Sequence, residues 1–248
     1  MEWFENEDFW HDFYPFMFPT ERFAAARDEA ERIMALTQCN GGAFLDLCCG
    51  PGRHAVEFAL RGFSVTGVDR SGFLLNLARE HAATAGVSVE WVMEDMRGFV
   101  RPAAFDLACS LFTSFGYFQD EQEDLRVLRN IHQSLKQNGV LVIETLGKER
   151  LARIYQNSLC TELADGSLVL QRNHVRSDWT RVHANWTLVR DGRAKSFQFE
   201  HTIYSGRELK DRLLNCGFEQ VDLFGSLQGS PYDLDAQRLV AVARKASA

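Results

Sequence analysis

The chain has six cysteines but no C-x-x-C pair, no apolar run near the ~18 to 20 residues that cross a bilayer, and no basic excess. Each absence removes a class. Cys39, Cys48, Cys49, Cys109, Cys160 and Cys216 suggest neither a metal site nor a disulfide framework, and Cys48 and Cys49 sit side by side in what reads as a buried strand end. They read as reduced, small core residues. The opening MEWFENEDFW carries neither a basic n-region nor an apolar h-region, so the expectation is a cytoplasmic protein with no membrane partner. A net charge of -7 argues against nucleic acid, whose partners show a basic patch or a high pI, and favours a small-molecule or protein substrate. There is no internal repeat and no low-complexity linker. With 248 residues, 46% of them hydrophobic, the chain can bury one sizeable core, which predicts a single domain over 1–248.

What is present is an alternation of apolar runs and amphipathic stretches from Ala43 to about Leu146, the pattern of β-α units feeding a parallel sheet. Strands are expected near 43–48, 64–68, 88–93, 105–110 and 139–145. Asp120 with Glu123 suggests a capping box, Leu125, Leu128, Ile131 and Leu135 an apolar helical stripe, and Asn138-Gly139 its stop. From Ser167 to Tyr204 the period changes to two. Val182, Ala184, Trp186 and Leu188 share one face, Asp191-Gly192 makes a turn, and Phe197, Phe199 and Ile203 share the face after it. A third strand is expected around Leu168 to Val175. Ser205 with Glu208 starts a helix that Gly217 ends, and strands at about 219–224 and 238–243 close the chain.

The stretch LDLCCGPGRHAVEFALRGFSVTGVDRS, Leu45 to Ser71, carries the chemistry. Gly50 and Gly52 flank Pro51 between a strand and a helix, so backbone N–H groups can approach a ligand at a helix N-terminus. Asp69 ends the next strand, where a carboxylate can accept from both hydroxyls of a ribose. Together they predict a site for an adenosine-containing cofactor. Spacing alone also allows NAD, since Gly50-x-Gly52-x-x-Ala55 is a tolerable dinucleotide fingerprint.

Leu45-Asp46-Leu47-Cys48-Cys49-Gly50-Pro51-Gly52 resembles motif I of class I S-adenosylmethionine (SAM)-dependent methyltransferases, with Cys48 where the family usually has glycine. Gly67-Val68-Asp69-Arg70-Ser71, Glu94-Asp95-Met96, Phe105-Asp106-Leu107 with Ser110-Leu111-Phe112, Gly139 to Ile143 and Gly217-Phe218 follow in the family's order. The resemblance implies a Rossmann-like α/β fold: a seven-stranded, mostly parallel sheet with a C-terminal antiparallel hairpin, here with a small antiparallel β insertion. It implies SAM as cofactor, with Cys49, Gly50 and Gly52 at the methionine end and Asp69, with Arg70 beside it, at the ribose. Asp95 and Met96 would hold the adenine, and Ser110 and Leu111 would border the sulfonium; no metal is implied. An NAD-dependent oxidoreductase and a non-catalytic SAM-binding protein are the alternatives.

The acceptor is expected above strands four and five, near Ser110 to Tyr117 and Thr145 to Gly147. Two segments could cover it. Residues 1–36 hold eight aromatics between Trp3 and Phe18, too many for a free tail, readable as a lid or as core packing against a helix from about Thr20 to Leu36. Tyr14 is the candidate there. The insertion, 158–204, places His201 on the face of Phe197, Phe199 and Ile203, as a core histidine or a general base, and Arg172, His174 and Arg176 on a second face. Arg53 and His54 open the helix after the glycine turn, where Arg53 suits a ligand carboxylate.

Overall fold

The computed structural model describes residues 2–247. After a 3-10 turn at Trp3–Glu5 come two helices, α1 (Glu7–Met17) and α2 (Thr20–Thr37). Then follow β1 (Ala43–Leu47), α3 (Arg53–Leu60), β2 (Ser64–Asp69), α4 (Gly72–Ala85), β3 (Glu90–Met93), β4 (Phe105–Ser110), α5 (Glu121–Ser134) and β5 (Leu135–Thr145). A short α6 (Lys148–Ile154) leads into β6 (Ser158–Glu162), β7 (Leu168–Arg176), β8 (Arg181–Arg190) and β9 (Arg193–Thr202). The chain closes with α7 (Gly206–Asn215), β10 (Gln220–Phe224) and β11 (Leu239–Arg244).

Seven strands form one sheet in the order β10-β11-β5-β4-β1-β2-β3, parallel except at β11, which pairs antiparallel with β5 and with β10. Alternation along each strand sends side chains to two apolar layers. Phe44, Leu107, Val140 and Val142 pack beneath Ile33 of α2 and Phe58 of α3; Leu45, Leu141 and Ile143 pack beneath Leu128 of α5 and Leu213 of α7. Strand order reverses between β1 and β4, so the carboxyl ends of these two strands splay apart and leave a crevice.

The second sheet is antiparallel, in the order β6-β7-β8-β9. Its β8–β9 turn is Asp191-Gly192, both left-handed (φ 51° and 71°), the conformation a two-residue hairpin needs. The strand β6 has no counterpart in the sequence reading, because all five of its residues are exposed and no alternation marks it. Helix α1 ties the two sheets together. Phe9 and Phe13 pack against Phe197, and Phe13 against Trp186, while Lys195 of β9 bonds Asp8 at 2.9 Å and Asp12 at 2.8 Å.

One expected element differs. α5 ends at Ser134, because Leu135, fully buried, pairs opposite Phe105 and already belongs to β5. Asn138-Gly139, read as the helix stop, is instead a bend inside that strand, with Asn138 left-handed at φ 61°. Nor does the Asp120–Glu123 box close: the Asp120 carboxylate accepts from Gln122 N at 2.9 Å. The Ser205–Glu208 box forms as expected, with Ser205 Oγ accepting from Glu208 N and Glu208 Oε2 from Ser205 N.

Candidate active site

The loop from β1 to α3 is a run of left-handed residues: Cys48 (φ 61°), Gly50 (φ 54°) and Gly52 (φ 75°). It is clasped to the end of β2 by one carboxylate. Asp69 Oδ2 accepts from Gly50 N at 2.8 Å and Oδ1 from Ser71 N at 2.9 Å, so one side chain fixes both the turn and the start of α4. Burial, reinforced by the nearby Asp46, pushes the Asp69 carboxyl up to about 6, against the backbone donors Ser71, Gly50 and Arg70. Gly52 must be glycine: a Cβ there would come within 2.6 Å of the Trp91 ring.

Above this clasp lies a cavity of about 710 Å³, counted with its open mouth. Its floor is Asp46, Cys48, Cys49, Gly50 and Asp69, with Arg53 and His54 at the start of α3. Met96, Leu111 and Tyr117 form one side; Phe4, Trp10, Met17 and Phe18 come down from the N-terminal segment. The floor is polarised. Asp46 is 2% exposed, and among the described residues its Oδ2 has no hydrogen-bond partner. Beside it, Arg53 and His54 share the Glu29 carboxylate, His54 Nε2 at 2.7 Å. An unpaired buried acceptor next to the Arg53 guanidinium fits a ligand end carrying both an ammonium and a carboxylate.

The far wall is strained. Phe112 and Thr113, at the end of β4, are both left-handed (φ 59° and 61°), unusual for a bulky and a β-branched residue. Glu144 of β5 holds them: Phe112 N donates to its Oε2 at 2.6 Å and Thr113 N to its backbone carbonyl at 3.0 Å. Arg238 pairs with Glu144 and donates to Thr113 Oγ1 at 2.9 Å. The result turns the Phe112 ring to the cavity wall, with the Arg22 guanidinium 3.9 Å from its centroid on the N-terminal side.

Of the residues singled out from the sequence, Cys49, Gly50, Asp69, Met96 and Leu111 meet on this cavity. Gly52 supports the turn from behind. Arg70 and Asp95 lie beyond Phe4, in an adjoining recess with Glu5 and Glu7, bonded to each other at 3.0 Å; Arg97 also binds Asp95, at 2.7 Å. Ser110 is buried below the wall. The two candidate catalytic residues lie off the cavity. Tyr14 packs between Phe18 and Phe73, and burial raises its phenol. His201 lines a separate apolar recess between α6 and the small sheet, where burial and then the Arg181 charge push its imidazole down to about 4. An imidazole that weakly basic makes a poor proton acceptor near neutrality. The sequence reading passed over Leu74, Met17 and the Glu144–Arg238 pair: the first two are plain apolar side chains without a chemical signature, and the pair is 94 residues apart in the chain.

Comparison with known proteins bears on this cavity. A family model described as a methyltransferase domain matches residues 44–139, from β1 into β5. The chain is 24% identical over 212 residues to the putative methyltransferase YqeM of Bacillus subtilis (strain 168), covering 82% of this chain and 84% of that one. Among solved structures it resembles an S-adenosylmethionine-dependent methyltransferase from Clostridium acetobutylicum ATCC 824 (TM-score 0.81, 16% identity, 97% and 98% coverage). It also resembles SAM-bound CalS10, an amino pentose methyltransferase from Micromonospora echinaspora (TM-score 0.67, 23% identity, 90% of each chain).

Proposed function

We propose that this class I S-adenosylmethionine-dependent methyltransferase transfers its methyl group to a small-molecule acceptor that enters above β4 and β5, beneath the four-stranded sheet. The observation that carries the reading is the polarised floor, where the unpartnered Asp46 oxygen and the Arg53 guanidinium complement the two charges of an amino-acid end. Asp69 would accept from ribose hydroxyls, and Met96 supplies apolar surface on the same cavity. Phe18 closes over the glycine turn, its ring 3.4 Å from where a Gly50 Cβ would stand. A small acceptor suits a site walled by α1 and the loop after β4, and the charge of -7 gives no attraction for nucleic acid.

Bound SAM supplies an electrophilic methyl on a sulfonium. The protein's part is alignment and exclusion of water. Arg53 and Asp46 would fix the amino-acid end and Asp69 the ribose. Phe18, Trp10 and Phe112 line the cavity and would exclude water from its middle.

Calorimetry with S-adenosylhomocysteine (SAH) and NADH, followed by turnover across amine, phenol, carboxylate and sugar acceptors, tests the reading; NADH heat without SAH heat would end it. Asp69→Ala should weaken SAH binding by roughly 1 to 3 kcal/mol, because two ribose hydroxyls and Gly50 N lose a charged acceptor. Unchanged affinity in a folded variant would remove Asp69 from the site. The raised carboxyl of Asp69 gives a pH dependence of definite sign. Its ionised form is the acceptor, so SAH affinity should hold above about pH 6 and fall up to about tenfold per unit below it. Asp69→Asn should flatten that slope, and a wild-type affinity constant down to pH 5 would count against the assignment.

A further inference from the structure

A second recess, about 840 Å³ with its open mouth, adjoins the cofactor cavity, and Tyr117 belongs to both. Its apolar wall is Trp3, Tyr117 and Phe199, with the Trp3 ring 4.7 Å from each of the other two. Gln119, Gln198 and Glu2 supply polar groups around it. The loop carrying Tyr117 is fastened to the small sheet, Thr202 N donating to Gly116 O at 2.6 Å and Arg181 to Phe118 O at 3.0 Å. So the recess is a fixed feature next to the cofactor cavity.

His183 and Glu200 line this recess from the sheet face opposite Phe199, around the edge strand β9. They are cross-strand partners on β8 and β9, and His183 Nδ1 lies 3.2 Å from Glu200 Oε1. Arg181 holds the other carboxylate oxygen at 3.3 Å. A carboxylate on Nδ1 fixes the tautomer with the proton there and leaves Nε2 as an acceptor, the base-and-orienter arrangement of a general base. His201, the next residue after Glu200, has the apolar surroundings described above and, among the described residues, no such orienter.

Resting on the methyltransferase reading, we infer that this recess is the acceptor site, that its acceptor is a small hydroxylated amine, and that His183 is the general base, with Glu200 as a positioning residue. An aliphatic amine arrives as an ammonium ion, without the lone pair that attack requires. The ammonium gives one proton to His183 Nε2. The freed lone pair forms the N–C bond to the methyl carbon as the C–S bond breaks, its electron pair remaining on sulfur. SAH and the methylated ammonium are the products, and His183 returns its proton to solvent. A carboxylate acceptor needs no base and would meet Glu2 and Glu200. A phenol would leave the amides of Gln119 and Gln198 without hydroxyl partners, whereas a hydroxylated amine engages them.

The test uses the full chain saturated with SAH. Histidine-ring NMR, with His183 assigned through His183→Gln, is followed on adding 3-aminopropane-1,2-diol or D-glucosamine, with glycerol and D-glucose as neutral controls. The amines should shift the His183 ring and the controls should not. With the amine that turns over best, His183→Gln should lower kcat about 100-fold with KM and SAH affinity within about threefold, and should remove the acid limb of the kcat profile. His201→Gln should keep both kcat and that limb. The other titratable or charged groups around His183 are Glu200, Arg181, His174 opposite it on β7, and Glu2, so His174→Gln is the matching control for the limb. A wild type that binds SAH while neither amine moves the His183 ring overturns the site. A His183→Gln enzyme with wild-type kcat overturns the base, and methylation confined to phenols or carboxylates overturns the acceptor class. No SAH heat in the wild type would mark the different failure, that of the methyltransferase reading, and would end this inference with it.

Discussion

Gly50→Val is expected to leave no measurable SAH binding, a loss of roughly 100-fold or more, or about 3 kcal/mol. Three constraints meet at that position. Its φ of 54° is left-handed, which a β-branched residue adopts only under strain. Its N–H is committed to Asp69, so the peptide cannot rotate away without breaking the clasp. Its missing Cβ would meet the Phe18 ring at 3.4 Å, so the two further methyl groups of valine would crowd the cavity lining. Strain of about 1 to 3 kcal/mol is small enough for a stable domain to survive, so the variant should fold with a lowered melting temperature. Circular dichroism and calorimetry on the same sample separate the two effects. A folded Gly50→Val protein that binds SAH normally would show that the loop does not approach the cofactor.

The same residues explain how far the sequence could be read. Gly50, Gly52 and Asp69 were legible because a strand, a turn and a carboxylate at the next strand end are fixed by local geometry: β1 and β2 pair in register from Ala43↔Ser64 to Leu47↔Val68, which places Asp69 beside the turn. Alternation likewise gave the β8–β9 hairpin, including its turn. It could not tell which histidine faces what. His183 and His201 are both half-buried residues of the same sheet, but the pleat and the β8–β9 register pair His183 with Glu200 and turn His201 to the opposite side. Choosing His201 for its aromatic neighbours selected the apolar face, where an imidazole is held neutral. The strained Phe112–Thr113 pair was beyond reach for another reason: its supports, Glu144 and Arg238, come from distant strands, and nothing in the local pattern asks for left-handed residues there.

Phe13→Ala should strongly lower stability, costing about 3 to 5 kcal/mol. At about 2–4 °C per kcal/mol for a chain of this size, that lowers the melting temperature by roughly 6 to 20 °C. Phe13 is fully buried in α1, 5.2 Å from the Phe9 ring and about as close to Trp186 and Phe197, so truncation opens a cavity where α1 meets the small sheet. The prediction separates two roles for the N-terminal aromatics. A segment that merely closes over bound ligand would contribute nothing to the ligand-free protein, and Phe13→Ala would leave its melting temperature unchanged. The packing argues for division of labour along one helix. Phe9 and Phe13 belong to the core, Trp10 and Phe18 present themselves to the cavity, and Glu7 bonds Ser71 Oγ at 2.7 Å and Gly72 N at 2.9 Å at the start of α4. Amide exchange should follow that division: equal protection of residues 9–13 with and without SAH, and slower exchange on binding at Trp3–Glu5, where only Phe4 is buried. Protection of residues 9–13 that appears only with SAH, together with an unshifted Phe13→Ala melting temperature, would make the whole segment a ligand-ordered cover.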